Sequence, residues 1–274
     1  MPLSPTEKAQ RFRALHEAEP FVIANAWDGA SARLLESLGF PAIATSSAAA
    51  AATLGRLDGE LTREEALAHS RLIVEVTQCP VSADLEHGFA DEPQEVAETI
   101  RRAGAIGLAG ASIEDASPAA GLYGMAQATE RIAAAAQAAR ALTFPFVLTA
   151  RCENFVAGHP DLEDTIRRLL AYERAGADVL FAPGLPDLAS VRAVCEAVHK
   201  PVNFMVGIRG RSFSVAELAK AGVQRISLST SLYRAAMSGL VAAAQEIREN
   251  GTFDYLERGM ATADLLHLMD QGKI

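Results

Sequence analysis

The chain has 274 residues, 50% of them hydrophobic and 22% charged, with a formal net charge of −9. That balance excludes a disordered chain, and its sign makes nucleic acid and acidic membrane surfaces poor partners. Cys79, Cys152 and Cys195 are odd in number and widely spaced, which excludes a disulfide framework and a zinc ribbon and points to the cytoplasm.

In chain order, residues 1–20 read as a polar helix carrying Lys8, Arg11 and Arg13, with no apolar leader core. No later apolar run approaches the roughly 20 residues that cross a bilayer. Eight short apolar, β-branched runs follow, at 21–26, 42–46, 81–85, 107–113, 146–150, 179–182, 202–206 and 225–228. Alanine- and charge-rich stretches of helical spacing separate them, the pattern of βα units and a parallel sheet. Glycine or proline stands before most strands, as in Phe40-Pro41, Cys79-Pro80, Gly104-Ala105, Gly176-Ala177, Lys200-Pro201 and Gly222-Val223. Glycine suits the left-handed residue past a helix, and proline the first residue of a strand. The expectation is one α/β domain over 1–274, a (β/α)₈ TIM barrel, with an open doubly wound sheet as the alternative. Residues 232–274 form a helical extension: a long helix over 232–249, a break at 251–253 and a tail helix over 255–269. The tail's Leu256, Leu265, Leu266, Leu268 and Met269 exceed what one barrel needs, so they should pack on their own barrel or on a neighbouring subunit.

Barrel chemistry sits at the C-terminal strand ends. There the sequence places Thr45-Ser46-Ser47, Asp84-Leu85-Glu86-His87, Ile113-Glu114-Asp115 and Arg151-Cys152-Glu153-Asn154, with Asn203 on the seventh strand. Asp84, Glu86 and Glu114 at one mouth would repel one another, and a hard divalent cation relieves that repulsion; Mg²⁺ takes carboxylate oxygens, waters and substrate oxygens. Alternation sets Asp84 and Glu86 on one inward side. Arg151 offers a planar fork for a substrate carboxylate or phosphonate, and Ser46 and Ser47 offer hydroxyls and N–H groups to an oxyanion. His87 is a candidate base, Trp27 and Asn25 candidate pocket walls, and Cys152 a core residue.

These segments resemble the isocitrate lyase/phosphoenolpyruvate mutase superfamily over nearly the whole chain. Thr45-Ser46-Ser47-Ala48 through Leu54-Gly55-Arg56-Leu57-Asp58 is similar to its second-strand region, and Asp84-Leu85-Glu86-His87-Gly88-Phe89 to its D-x-D-x-G-[FY] motif. Ile113-Glu114-Asp115 and Ala150-Arg151-Cys152-Glu153-Asn154-Phe155 are similar to its I-E-D and A-R-x-[ED]-A-[FY] segments. The resemblance implies a barrel with a helix swapped between subunits, usually in a homotetramer built as a dimer of dimers. It also implies Asp84 as a ligand of Mg²⁺ (Mn²⁺ as a substitute), supported by Glu86 and Glu114, with Asp58 near the metal. Arg151, the Ser46–Ser47 backbone, Thr45 and Asn203 would contact a 2-oxo acid or enolate. The family's K-K-C-G-H loop is replaced by Ala116-Ser117-Pro118-Ala119-Ala120-Gly121-Leu122-Tyr123-Gly124, leaving Tyr123 as the proton carrier in that segment. Such a stripped loop is most similar to the oxaloacetate decarboxylase branch. The expected activity is a Mg²⁺-dependent carbon–carbon lyase acting through an enolate. A phosphonate carbon–phosphorus enzyme and a non-catalytic 2-oxo acid binding protein are the alternatives.

Overall fold

The computed structural model describes residues 2–271. Helix α1 (Pro5–Leu15) starts at Ser4, whose hydroxyl and Glu7 form a capping box. Strand β1 (Phe21–Asn25) follows, then α2 (Gly29–Ser37), β2 (Ile43–Ala44), α3 (Ser47–Thr53), α4 (Arg63–Val76) and β3 (Val81–Asp84). Helix α5 (Pro93–Ala105) leads to β4 (Gly110–Glu114), after which β5 (Ala116–Ser117) and β6 (Gly121–Leu122) form a small antiparallel hairpin. The remainder is α6 (Met125–Arg140), β7 (Val147–Arg151), α7 (Leu162–Ala175), β8 (Val179–Phe181), α8 (Leu188–Ala197), β9 (Val202–Met205), α9 (Val215–Lys220), β10 (Arg225–Ser227), α10 (Ser231–Asn250) and α11 (Thr262–Gln271).

Apart from the hairpin pair, the strands are all parallel and close into a barrel in the order β1-β10-β9-β8-β7-β4-β3-β2. These are the eight runs expected from the sequence; six are shortened by one to three residues, while β4 begins three residues later and β7 one residue later than expected, and both end one residue later. The open sheet is thereby set aside. The outward faces of the strands and the inner faces of the helices share one large apolar cluster that includes Ile43, Leu85, Ile113, Leu148, Leu180 and Ile226. A second cluster fills the barrel's N-terminal end: Phe21, Ile23, Val147 and Val179, closed from below by Ala9 and Phe12 of α1.

Helix α1 is therefore more than the polar helix that its sequence suggests. Phe12 is fully buried, and Lys8 is 7% exposed, its Nζ 2.5 Å from the carbonyl oxygen of Thr77. Its long apolar stem lets Lys8 cover the barrel floor while its ammonium reaches a carbonyl. Gly110 makes the plug fit: a Cβ there would lie 2.9 Å from the Phe12 ring and 2.6 Å from the carbonyl oxygen of Val147.

Helix α10 spans the expected long helix and ends at left-handed Gly251. The tail differs from expectation. A single 3₁₀ turn, Asp254–Glu257, precedes α11, because Gly259 interrupts the helical run and glycine is a poor helix-interior residue. Helix α11 packs on α2. Along α10 and the tail Leu240, Val241, Phe253, Leu256, Met260 and Leu266 are each more than half exposed. Among the described residues no helix is long and apolar enough to cross a membrane.

Candidate active site

A cavity of about 100 Å³ opens at the C-terminal ends of the strands. Its wall includes Thr45, Ser46, Ser47, Asp58, Asp84, Ser112, Arg151 and Asn203. The local chain explains this convergence. Strand β2 is only two residues long, and Ser46 caps α3 directly after it. The Ser47 N–H, at the first position of α3, therefore points at Asp84 Oδ2, 3.3 Å away; a helix N-terminus favours such an anion. Ser47 Oγ donates to Asp58 Oδ1 at 2.8 Å and lies 3.2 Å from Asp84 Oδ2. Thr45 Oγ1 accepts from the Asp84 N–H at 2.9 Å, and Asn25 Nδ2 donates to the Thr45 carbonyl at 2.7 Å. These bonds lace β1, β2 and β3 together behind Asp84.

Arg151 ends β7 and faces Glu114 across the β4–β7 pairing. Its Nη1 is 3.1 Å from Glu114 Oε2 and 3.7 Å from Asp84 Oδ1, while Nε and Nη2 meet the two oxygens of Glu153 at 2.5 and 3.1 Å. Three carboxylates so close keep Arg151 charged at every accessible pH. Burial pushes the carboxyls of Glu114 and Glu153 upward against the pull of Arg151. Glu86 is pushed up to about 7, first by burial and then by Asp84 and Asp58. It is 5% exposed, and its Oε1 has no hydrogen-bond partner.

The expected inward alternation of Asp84 and Glu86 does not hold. Strand β3 stops at Asp84, and Glu86 turns into the left-handed region at φ +49°. The Glu114 N–H donates to the Glu86 carbonyl at 2.9 Å, and the Glu86 carboxyl feels the charges of Asp84 and Asp58. Among the described residues, Asp84, Glu86 and Glu114 do not gather into a ready three-ligand group; Asp84 and Glu114 turn toward Arg151 instead. The donor chemistry still fits a hard divalent ion. Carboxyls driven upward and an orphaned buried Glu86 oxygen mark a deficit of positive charge, and Mg²⁺ needs only one or two carboxylates beside water.

Trp27 does not line the cavity. Its ring packs edge-on against Tyr233 at 5.5 Å, and its carbonyl oxygen is 2.8 Å from His69 Nε2. Tyr123 is also elsewhere: it is 3% exposed, its hydroxyl donates to Asp91, and Arg131 covers its ring at 4.1 Å. The short hairpin folds it outward, so the expected proton carrier is turned away from the cavity. His87 lies outside this cavity too, in a shallow groove with Phe89 and Leu61. Cys152 is fully buried in the core, as expected.

Two groups that stand among the strand-end residues receive no role from the sequence. Glu153 is the bidentate partner of Arg151, and the acid two residues after an arginine was the available signal. Asp115, 1% exposed, receives the Glu153 N–H at 2.7 Å, the Tyr172 hydroxyl at 2.5 Å and Arg168 Nη1 at 3.1 Å. Arg168 Nη1 also donates to the Tyr123 carbonyl at 3.0 Å. Asp115 thus ties the hairpin's return to the loop that holds Glu153.

With this geometry in place, the comparisons with known proteins become specific. The family described as phosphoenolpyruvate phosphomutase matches residues 12–248. A candidate lyase/mutase of known structure from Burkholderia cenocepacia superposes with a TM-score of 0.95 at 46% identity, covering 97% of each chain. The oxaloacetate decarboxylase of Paraburkholderia xenovorans is 30% identical over 275 residues, 96% of this chain and 90% of that one. An uncharacterised protein of Mycobacterium tuberculosis is 33% identical over 252 residues, 91% of this chain and 92% of that one.

Proposed function

Because the chain belongs to the isocitrate lyase/phosphoenolpyruvate mutase superfamily, we propose that it is a carbon–carbon lyase for a small 2-oxo or 2-hydroxy carboxylate, working through an enolate. The observation that carries this reading is Arg151, held in the cavity wall by Asp84, Glu114 and Glu153 beside the N-terminus of α3. A substrate carboxylate competes with Glu114 and Asp84 for the Nη1 edge, while Glu153 keeps the Nε edge and fixes the plane of the fork. Thr45, Ser46 and Ser47 border the same wall and orient the oxygen beside that carboxylate. Charge that appears on the enolate oxygen is met by fixed donors that need little reorganisation. Phe181, Met205 and Ile23 supply apolar wall and limit water around the reacting carbons.

Asp84 would hold Mg²⁺ directly or through water, with Glu86 and Glu114 in supporting positions. Bound there, the ion supplies Lewis-acid stabilisation of the carboxylate and its neighbouring oxygen. Asp58, linked through Ser47 Oγ to Asp84, is the carboxyl on the wall suited to hand a proton to the enolate carbon. Oxaloacetate decarboxylation and isocitrate-type cleavage are the reactions to assay. NMR of the purified protein with oxaloacetate, isocitrate and phosphonopyruvate, each with and without Mg²⁺, should show turnover of a C–C substrate. Turnover of none would overturn the reading. Phosphate release from phosphonopyruvate would favour carbon–phosphorus chemistry instead, a reading supported by the phosphomutase description of the matching family.

The apolar surface of α10 and the tail supports assembly through this extension into a homo-oligomer, a tetramer of paired, helix-exchanged dimers. The acidic net charge and the lack of a spanning helix among the described residues support a cytoplasmic enzyme without nucleic-acid or membrane partners.

A further inference from the structure

Arg225 begins β10, and its side chain crosses the barrel interior beneath the carboxylate cluster. It is 5% exposed and lines the same cavity as Arg151. Its Nε donates to Asn203 Oδ1 at 2.8 Å, its Nη2 donates to Thr149 Oγ1 at 2.9 Å, and its Nη1 lies 3.4 Å from His16 Nε2. His16 Nδ1 is 2.8 Å from the Phe12 carbonyl oxygen, so that nitrogen carries the proton and Nε2 is left as an acceptor. Burial and the adjacent guanidinium drive His16 down to about 3, which keeps it neutral. All these partners are uncharged.

Two of the other buried arginines differ. Arg168 pairs with Asp115 and Asp164, and Arg151 with three carboxylates. Arg131 directs its donors to the carbonyls of Glu114, His87 and Ala90 and lies outside the cavity. Among the described residues no carboxylate pairs with Arg225. A buried cation without a counter-charge is costly, and burial alone pulls the pKa of this guanidinium down to about 9.

Its depth gives it a use. Thr149, which holds Nη2, precedes Arg151 by two residues on β7, so it lies one inward-facing step, roughly 7 Å, below Arg151. One cation stands at the mouth of the cavity and another at its floor, so a ligand that engages both must carry an anionic group at each end. Asn203, which the family resemblance made a substrate contact, is engaged here in steering Arg225 and in donating to Ser227 Oγ at 3.0 Å.

Resting on the reading of the mouth given above, we propose that Arg225 is a substrate-binding residue that seats the second anionic group of a dianionic substrate, of the four-carbon dicarboxylate class, while Arg151 holds the first. Thr149, Asn203 and His16 position the guanidinium without neutralising it, so its charge is kept for the ligand.

The test is calorimetric binding of 2-hydroxysuccinate, a dianion, and lactate, its monoanionic counterpart, to wild type, Arg225→Gln and Arg225→Lys in the presence of Mg²⁺, with thermal midpoints recorded alongside. The wild type should prefer the dianion by at least tenfold. Arg225→Gln should lose about 10- to 100-fold in dianion affinity with lactate unchanged within twofold, and Arg225→Lys should recover part of the loss. Equal weakening of both ligands overturns the proposal, as does a wild type that binds lactate but shows no dianion preference. Thermal midpoints that fall steeply in both variants make Arg225 a structural strut and also overturn it. A wild type that binds neither acid removes the reading of the mouth itself, and the floor subsite with it.

Discussion

Removing the Arg151 guanidinium would leave Asp84, Glu114 and Glu153 crowded without their common cation. Arg151→Met should therefore lower kcat/KM at least about 100-fold and cost roughly 3–5 kcal/mol of stability at pH 8. The stability loss should shrink toward pH 5, as the abandoned carboxyls take up protons. Steady-state assay and urea unfolding at the two pH values check both parts. His16 gives a second, opposite pH signature on the barrel floor. Its folded value of about 3 lies below its ordinary 6.5, so between these values the unfolded chain binds a proton that the folded chain refuses. The stability that His16 supports is whole above about pH 6.5 and is lost as pH falls toward 3, with a slope of up to about 1.4 kcal/mol per pH unit. His16→Gln should flatten the acid limb of a plot of unfolding free energy against pH. An unchanged acid limb would refute the assignment.

At the level of elements, Gly110 and the β5–β6 hairpin set the barrel's two ends. Gly110→Ala drives a methyl group into Phe12 and the Val147 carbonyl and should cost about 2–3 kcal/mol by chemical denaturation. Gly124→Ala, with nothing within 4 Å of the added carbon, should cost almost nothing. At the other end Pro118 of the hairpin would lie 3.1 Å from a Cβ on Gly59, which itself sits at φ +82°. Gly59→Ala should therefore disturb the Asp58 turn and, by displacing the proposed proton donor, lower kcat several-fold. The strands were legible because β-branched runs bounded by glycine and proline have few other uses. The mouth was legible as a set of residue types, since acids and an arginine at strand ends leave a plain trace. Orientation was less legible. Alternation mispositioned Glu86 because the strand ends two residues earlier, at a point where no glycine marks the positive φ. Trp27 and Tyr123 were misplaced because their partners, Tyr233 and Asp91, are distant in the chain and invisible to local pattern. Arg225 carried no sequence signal, since a single arginine opening a strand usually faces solvent.

For the molecule as a whole, the exposed Leu240, Leu256 and Leu266 predict a concentration-stable oligomer. Leu240→Glu combined with Leu256→Glu should reduce the mass measured by light scattering while the far-ultraviolet circular dichroism of the barrel stays the same. The plug formed by α1 has a wider kinetic consequence. With Phe12 and Ala9 stopping one end, the barrel is a cul-de-sac, and every molecule that reaches Arg151 must leave by the doorway it came through. Departing product and arriving substrate therefore cannot pass one another in the barrel.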